Sequence, residues 1–426
     1  MQFSKEELMQ IKSGRSRFLA MAVTYCLGVY NDNFYKQAAS LIAVDTDEKR
    51  LQGLALILLS VPFVLFSAYA GWLADRFPKR NIVIFAKFFE LAAMLIGAYG
   101  VFTVNWYCIM AMVFIMGLQS TIFSPALNGS IPELYPDKYV MQANSYMKLA
   151  TTVSVLMGVA LAGVLLDPGL YEVDIAAGKE YGRYLVGIVA VAVALTGVFA
   201  SFGTAKIDSP KTKNRFPLEG PLNSILDIVY FKRDRVLFKS FLCSMFLYGV
   251  SSTVIITIND LGGALNLGQK NTSYLVTALM LGIPLGALIA NKLSDRYNWQ
   301  SYILKAAFVM GALLLVTGTV ADNFVGGYSL LIVIVFLFFL TGVAGGVFLI
   351  PVTSFIQTQP AADEKGRALA TQNFMDFIGI IIGGVFYYLV GANINAMIFL
   401  MIFGAIAMIF AVLINFRVYE FKGAGQ

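Results

Sequence analysis

Apolar residues along this chain gather into runs too long and too evenly apolar to be one face of a soluble helix. Runs of spanning length lie at about 18–42, 51–74, 82–104, 106–127, 143–166 and 183–203. A second set follows at about 237–259, 273–294, 302–321, 328–350, 370–390 and 393–416. About 20 helical residues cross the hydrocarbon core of a bilayer, so twelve spanning helices are predicted. The long connection 204–236, with Pro210, Pro217, Pro221 and a run of lysines, divides them six and six. The expected organisation is a first bundle over 1–203, a cytoplasmic linker over 204–236 and a second bundle over 237–426. Within the linker, Leu222, Ile225, Leu226 and Val229 recur at i, i+3, i+4 and i+7 beside Lys232, Arg233 and Arg235. That period predicts an amphipathic helix lying along the membrane surface.

The two halves echo each other. Leu73-Ala-Asp75-Arg76 closes the second span and Leu293-Ser-Asp295-Arg296 closes the eighth. Gly117 to Pro125 in the fourth is answered by Gly342 to Pro351 in the tenth. Asn144-Ser-Tyr-Met147-Lys148 in the fifth is answered by Gln372-Asn-Phe-Met375-Asp376 in the eleventh. A repeat of six spans predicts two pseudo-symmetric bundles enclosing a midplane cavity, with alternating access by rocking. The expected fold class is an all-α polytopic membrane protein.

Composition narrows the chemistry. Of 426 residues, 58% are hydrophobic and 13% charged, against about half and a quarter in ordinary globular chains. A soluble enzyme is excluded. The chain has no histidine, which removes a Ser-His-Asp triad, a His-ligated metal and an imidazole proton shuttle. Cys26, Cys108 and Cys243 stand singly inside apolar runs and are expected to pack as small hydrophobes. No catalytic residue, metal or cofactor is expected. The first apolar run breaks at Asn31-Asp32-Asn33 without a small-x-small cleavage site, so it reads as a span and not a cleaved leader.

Charge placement sets the expected topology. Lys5, Lys12, Arg15, Arg17, Arg76, Lys79, Arg80, Lys138, Arg296, Lys365, Arg367, Arg417, Lys422 and the basic linker fall on one side. The other side holds only Lys49, Arg50, Lys179 and Lys270. Positive charge stays cytoplasmic, which places both termini there. The net charge of +6 is then a topology signal and an attraction to anionic membrane lipid, not a nucleic-acid footprint.

An ionisable residue inside a span costs several kcal/mol unless paired or hydrated, roughly, so each one asks for a role. Asp32 has Lys36 one turn later on the same helix face, with Asn33 between them, and these form a candidate polar cluster. Lys87 and Glu90, at i and i+3, form a candidate buried pair. Lys148 and Asp376 occupy repeat-related places with opposite sign and suggest a cytoplasmic gate. Gln119, Ser120 and Ser124 in the fourth span suit either helix packing or cavity lining.

Gly71-Trp-Leu73-Ala-Asp75-Arg76-Phe-Pro-Lys79-Arg80 resembles the major facilitator superfamily signature G-x-L-x-D-R-x-G-R/K-R/K, with Pro78 in place of a glycine. The physical expectation is that Gly71 lets helix backbones approach, that Asp75 faces a helix N-terminus, and that the basic residues hold the loop at the anionic face. Gly71, Asp75 and Arg76, with Asp295 and Arg296 in the second half, read as gate elements.

A narrower resemblance lies in Asn31-Asp32-Asn33-Phe34-Tyr35-Lys36, Phe66 to Gly71, Lys87-Phe-Phe-Glu90, Gly117-x-Gln119-Ser120-x-x-x-Ser124-Pro125 and Asp260-Leu-Gly-Gly263. These resemble the lysophospholipid transporter family, most closely the transporter half of transporter–acyltransferase fusion proteins. Lys148 departs from that family, which has a carboxylate there. The resemblance implies the major facilitator fold in a monomer of the bacterial inner membrane, moving lysophospholipids inward for reacylation. Lysophosphatidylethanolamine is the expected substrate, bound by Asp32, Asn33, Lys36, Gln119 and Ser124. No acyltransferase domain follows the last span, so a separate lysophospholipid acyltransferase is the expected partner. The alternative is a proton-coupled transporter of a small solute or drug, working through Asp32, Glu90 or Asp376.

Overall fold

The computed structural model describes residues 4–205, 216, 219–294, 298–323, 328–361 and 364–414. Its helices are α1 (Lys5–Asp45), α2 (Arg50–Arg76), α3 (Lys79–Thr103), α4 (Trp106–Leu134), α5 (Asp137–Leu166), α6 (Ile175–Ser201) and α7 (Gly220–Phe231). They continue with α8 (Arg235–Ala264), α9 (Gly268–Ser294), α10 (Trp299–Asp322), α11 (Tyr328–Thr358), α12 (Lys365–Leu389) and α13 (Ala396–Leu413). No strand occurs among the described residues. Helix starts follow local chemistry: α4, α6, α8, α10 and α13 begin after Asn105, Asp174, Asp234, Asn298 and Asn395. Each of these side chains accepts a first-turn amide that would otherwise be unpaired.

Among the described residues, eleven helices, α2–α6 and α8–α13, are long and apolar enough to cross a bilayer. The twelfth long helix, α1, is 41 residues long but too rich in Asn, Asp and Lys to qualify on apolarity. It is nevertheless a core element, packed against α5 and α6. Phe34 and Tyr35 are fully buried with Met94, Ile109 and Met112, and the Tyr35 hydroxyl donates to the Gly97 carbonyl at 2.7 Å. Asn31 and Gln37, 0% and 3% exposed, likewise face protein rather than lipid.

The chain forms two compact units, residues 1–223 with 268–273, and 224–267 with 274–426. In the first unit the signature turn corrects two expectations. A Cβ at Gly71 would meet nothing within 4 Å, so this glycine makes no close helix contact here. Two of the basic residues also turn inward. Lys79 is 8% exposed; it donates to the Gly129 carbonyl at 2.9 Å and pairs with Glu133. Arg80 donates to the Phe202 carbonyl at 2.8 Å. They clamp the start of α3 to α4 and to the end of α6. Pro78, with φ −56°, sits where its ring already holds the backbone.

In the second unit α8 packs on α12, and α10 on α11 and α13. The tightest crossing is between α9 and α11. A Cβ at Gly342 would fall on the Leu279 carbonyl oxygen, and one at Gly282 on that of Phe339. Only glycine admits backbones this close. Gly342→Ala is expected to cost about 1–3 kcal/mol by overpacking, seen as a lower thermal midpoint of the purified protein. Gly366→Ala, at a site open on all sides within 4 Å, should leave that midpoint unchanged.

Candidate functional site: a charged cavity in the first unit

The site is assembled from α1, α3 and α4. Lys87 and Glu90 on α3 form an ion pair of 2.6 Å with side chains 0% and 1% exposed. Room for the ammonium comes from α1, where a Cβ at Gly28 would stand 2.6 Å from Lys87 Nζ. The Phe123 ring of α4 lies 5.2 Å from the same nitrogen and adds a cation–π contact. Asn31 donates to the Ala190 carbonyl at 3.0 Å and reaches Glu90 Oε1 at 3.5 Å.

Asp32 stands one turn beyond Gly28. The Ser120 hydroxyl lies 3.0 Å from Asp32 Oδ2 and 3.1 Å from Gln119 Oε1. With a single proton it can donate to only one of them at a time. The other Asp32 oxygen, Oδ1, is buried and has no partner among the described residues. Asp32, Lys87, Gln119 and Ser124, with Tyr25 and Phe63, line one cavity of about 200 Å³. One carboxylate and one ammonium thus face a shared space inside the bundle. Each is held by a second group, Ser120 and Glu90, that fixes its orientation.

The structure brings together three of the five residues predicted to meet substrate: Asp32, Gln119 and Ser124. The other two turn aside. Asn33 donates to the Val29 carbonyl at 2.8 Å, and Lys36 Nζ lies 3.4 Å from Asn33 Oδ1. Lys36 makes no ion pair with Asp32 among the described residues. The cation lining this cavity is Lys87, read from the sequence only as half of a buried pair. Gly28, four positions before Asp32 on the same helix face, is the signal that could have located it.

Among the gate residues, Asp75 and Arg76 are exposed at the end of α2, and Arg76 lies 5.0 Å over the Trp72 ring. Lys148 is exposed on α5. Asp376, on α12 of the second unit, is 5% exposed; its Oδ1 is buried with no hydrogen-bond partner among the described residues, and Gln372, one turn earlier, donates to the Ser244 hydroxyl at 3.1 Å. Asp295 and Arg296 lie outside the described residues. The second unit also holds apolar cavities of about 220 Å³, lined by Leu247, Met280, Ile283 and Leu314, and about 440 Å³, lined by Met245, Phe246, Phe386 and Phe403.

Bilayer-length helices around a cavity with buried ionisable groups are the build of a polytopic membrane transporter. The profile of the Major Facilitator Superfamily matches residues 18–255 and 240–424, and the chain belongs to that superfamily. Similar curated proteins include the lysophospholipid transporter LplT of Pectobacterium carotovorum subsp. carotovorum (strain PC1), 24% identical over 320 residues, 73% of this chain and 70% of the relative. The LplT of Escherichia coli O1:K1 / APEC is 24% identical over 361 residues, 83% of each chain. The uncharacterized MFS-type transporter YfiS of Bacillus subtilis (strain 168) is 24% identical over 352 residues, 80% of this chain and 79% of its own. Among solved structures, a D-xylose-proton symporter superposes with a TM-score of 0.71 at 13% identity, covering 99% of this chain and 100% of its own. The nucleoside transporter NupG gives 0.64 at 13%, covering 93% and 98%. At these identities the solved structures show the fold alone.

Proposed function

We propose that this transporter moves lysophospholipids, lysophosphatidylethanolamine foremost, inward across a bacterial inner membrane by alternating access. In this reading both termini are cytoplasmic, 1–203 and 237–426 act as the two moving bundles, and a separate acyltransferase reacylates the product. The observation that carries it is the pairing of opposite charges in one cavity: the free oxygen of Asp32 suits the headgroup ammonium, and Lys87 suits the phosphate. The likeness to named lysophospholipid transporters supports the substrate class.

The test is inward movement of labelled lysophosphatidylethanolamine in vesicles reconstituted with the whole protein. Saturable movement, competed by unlabelled lysophospholipid but not by a sugar or a cationic drug, is the expected result. Absence of lysolipid movement, with small-solute uptake that collapses with the pH gradient, would instead establish the proton-coupled alternative.

A further inference from the structure

Helix α7 has 12 residues, about 18 Å of length at 1.5 Å per residue, against a hydrocarbon core of about 30 Å. It cannot span, and its two faces are used differently. One face, over residues 224–231 of the second unit, is clasped to the start of α12 in the same unit. Asp227 pairs with Arg367, whose Nε lies 3.1 Å from the same carboxylate. Glu364 accepts from the Tyr230 hydroxyl and from Arg233; both donors hold its carboxyl below the ordinary glutamate value. The Tyr230 ring lies between two guanidinium groups, 3.9 Å from that of Arg233 and 4.4 Å from that of Arg367. Phe231 is fully buried, edge-on to Phe241.

The other face is bare. Leu222, Ile225, Leu226 and Val229 form one stripe, exposed by 51%, 50%, 52% and 57%. Only residues 232–234 separate α7 from α8, a bilayer-crossing helix. The clasp and this short connection hold the stripe beside the start of α8, a helix long and apolar enough to cross a bilayer. Lys232 and Arg235 follow its C-terminal end, both exposed; neither forms an ion pair among the described residues, and Lys232 lies 5.8 Å over the Phe238 ring.

We propose that α7 is a docking site for acidic phospholipid. The stripe enters the boundary between headgroups and acyl chains, and Lys232 and Arg235 take the lipid phosphates. A protein partner fits less well, because the stripe adjoins the start of a bilayer-length helix and the exposed charges at that end, Lys232 and Arg235, are cationic, with the exposed carboxylate of Glu219 at the other end. The Tyr230–Glu364 clasp ties this lipid contact to α12, the helix that carries Asp376. The inference does not depend on the transported substrate.

The experiment places a photoreactive p-benzoylphenylalanine at Leu226 of the full chain, in nanodiscs of phosphatidylcholine with a minor share of phosphatidylglycerol. Adducts are identified by mass after illumination. Phosphatidylglycerol should be over-represented among them by about fivefold relative to its share, the factor one basic side chain supplies at an anionic surface. Lys232→Gln with Arg235→Gln should bring that ratio to about one, while adducts of both lipids persist because the apolar stripe is intact. Adducts to protein, no lipid adducts, or unenriched phosphatidylglycerol in the unaltered chain would overturn the proposal. So would enrichment that survives loss of both basic residues.

Discussion

Lys87→Met is expected to destabilise the folded protein by about 3–5 kcal/mol and to abolish transport, while adding Glu90→Met restores the stability but not the transport. The single change removes the only cation among the described residues within bonding distance of a carboxylate that is 1% exposed. Breaking a buried ion pair strands the remaining charge, and that is the costly step. Exchanging both partners for apolar residues of similar volume is close to neutral or even stabilising. The pair therefore adds little net stability, which raises the question of why two charges occupy the bundle interior. Lys87 also lines the cavity beside Asp32, so a double variant should fold and still lack the cation. Thermal unfolding in detergent reads the first outcome and vesicle uptake the second. If the double variant transports normally, Lys87 has no part in substrate recognition.

Asp32→Asn should move the thermal midpoint by no more than a few degrees and lower lysophospholipid uptake about a hundredfold. The amide keeps the carboxylate's shape, and its oxygen can still accept from Ser120, so packing around α1 and α4 survives. What it loses is the negative charge and the acceptor at Oδ1, which has no hydrogen-bond partner among the described residues. A hydrogen bond to a charged group is worth about 1.5–3 kcal/mol, and about 2.7 kcal/mol is a factor of one hundred in rate. Uptake within threefold of the unaltered protein would remove Asp32 from the substrate path.

Most of the architecture was open to reading from the chain because the bilayer permits so few solutions. A spanning segment must satisfy its own backbone and present apolar side chains, so length and apolarity alone mark α2–α6 and α8–α13. Helix α1 was legible for a different reason: its polar residues break an otherwise apolar run, which marks a helix facing protein. The cavity was only partly legible. Spacing along one helix identifies the Lys87–Glu90 pair, since i and i+3 are neighbours whatever the fold. Spacing cannot say which face of α3 meets α1, and that depends on Gly28, 59 positions away. Local proximity also misled. Lys36 lies one turn from Asp32 but turns to Asn33, while Asp32 takes its partner from α4. Lys79 reads as a surface cation in a basic loop, and only the approach of Gly129 and Glu133 explains its burial.

The glycine crossing of α9 and α11 has a mechanical consequence. Their backbones touch at Gly282, Gly286, Gly342 and Gly346, so a slip of either helix by one residue would drive a β-carbon into the other's carbonyl groups. The register is locked, and the pair behaves as a single strut. Bending then falls to places where the backbone ladder is already interrupted, namely Pro284 within α9 and Pro351 within α11. Pro284 lies inside the contact stripe, between Gly282 and Gly286, whereas Pro351 lies beyond Gly346, so the strut can flex at the end of α11 without being pulled apart.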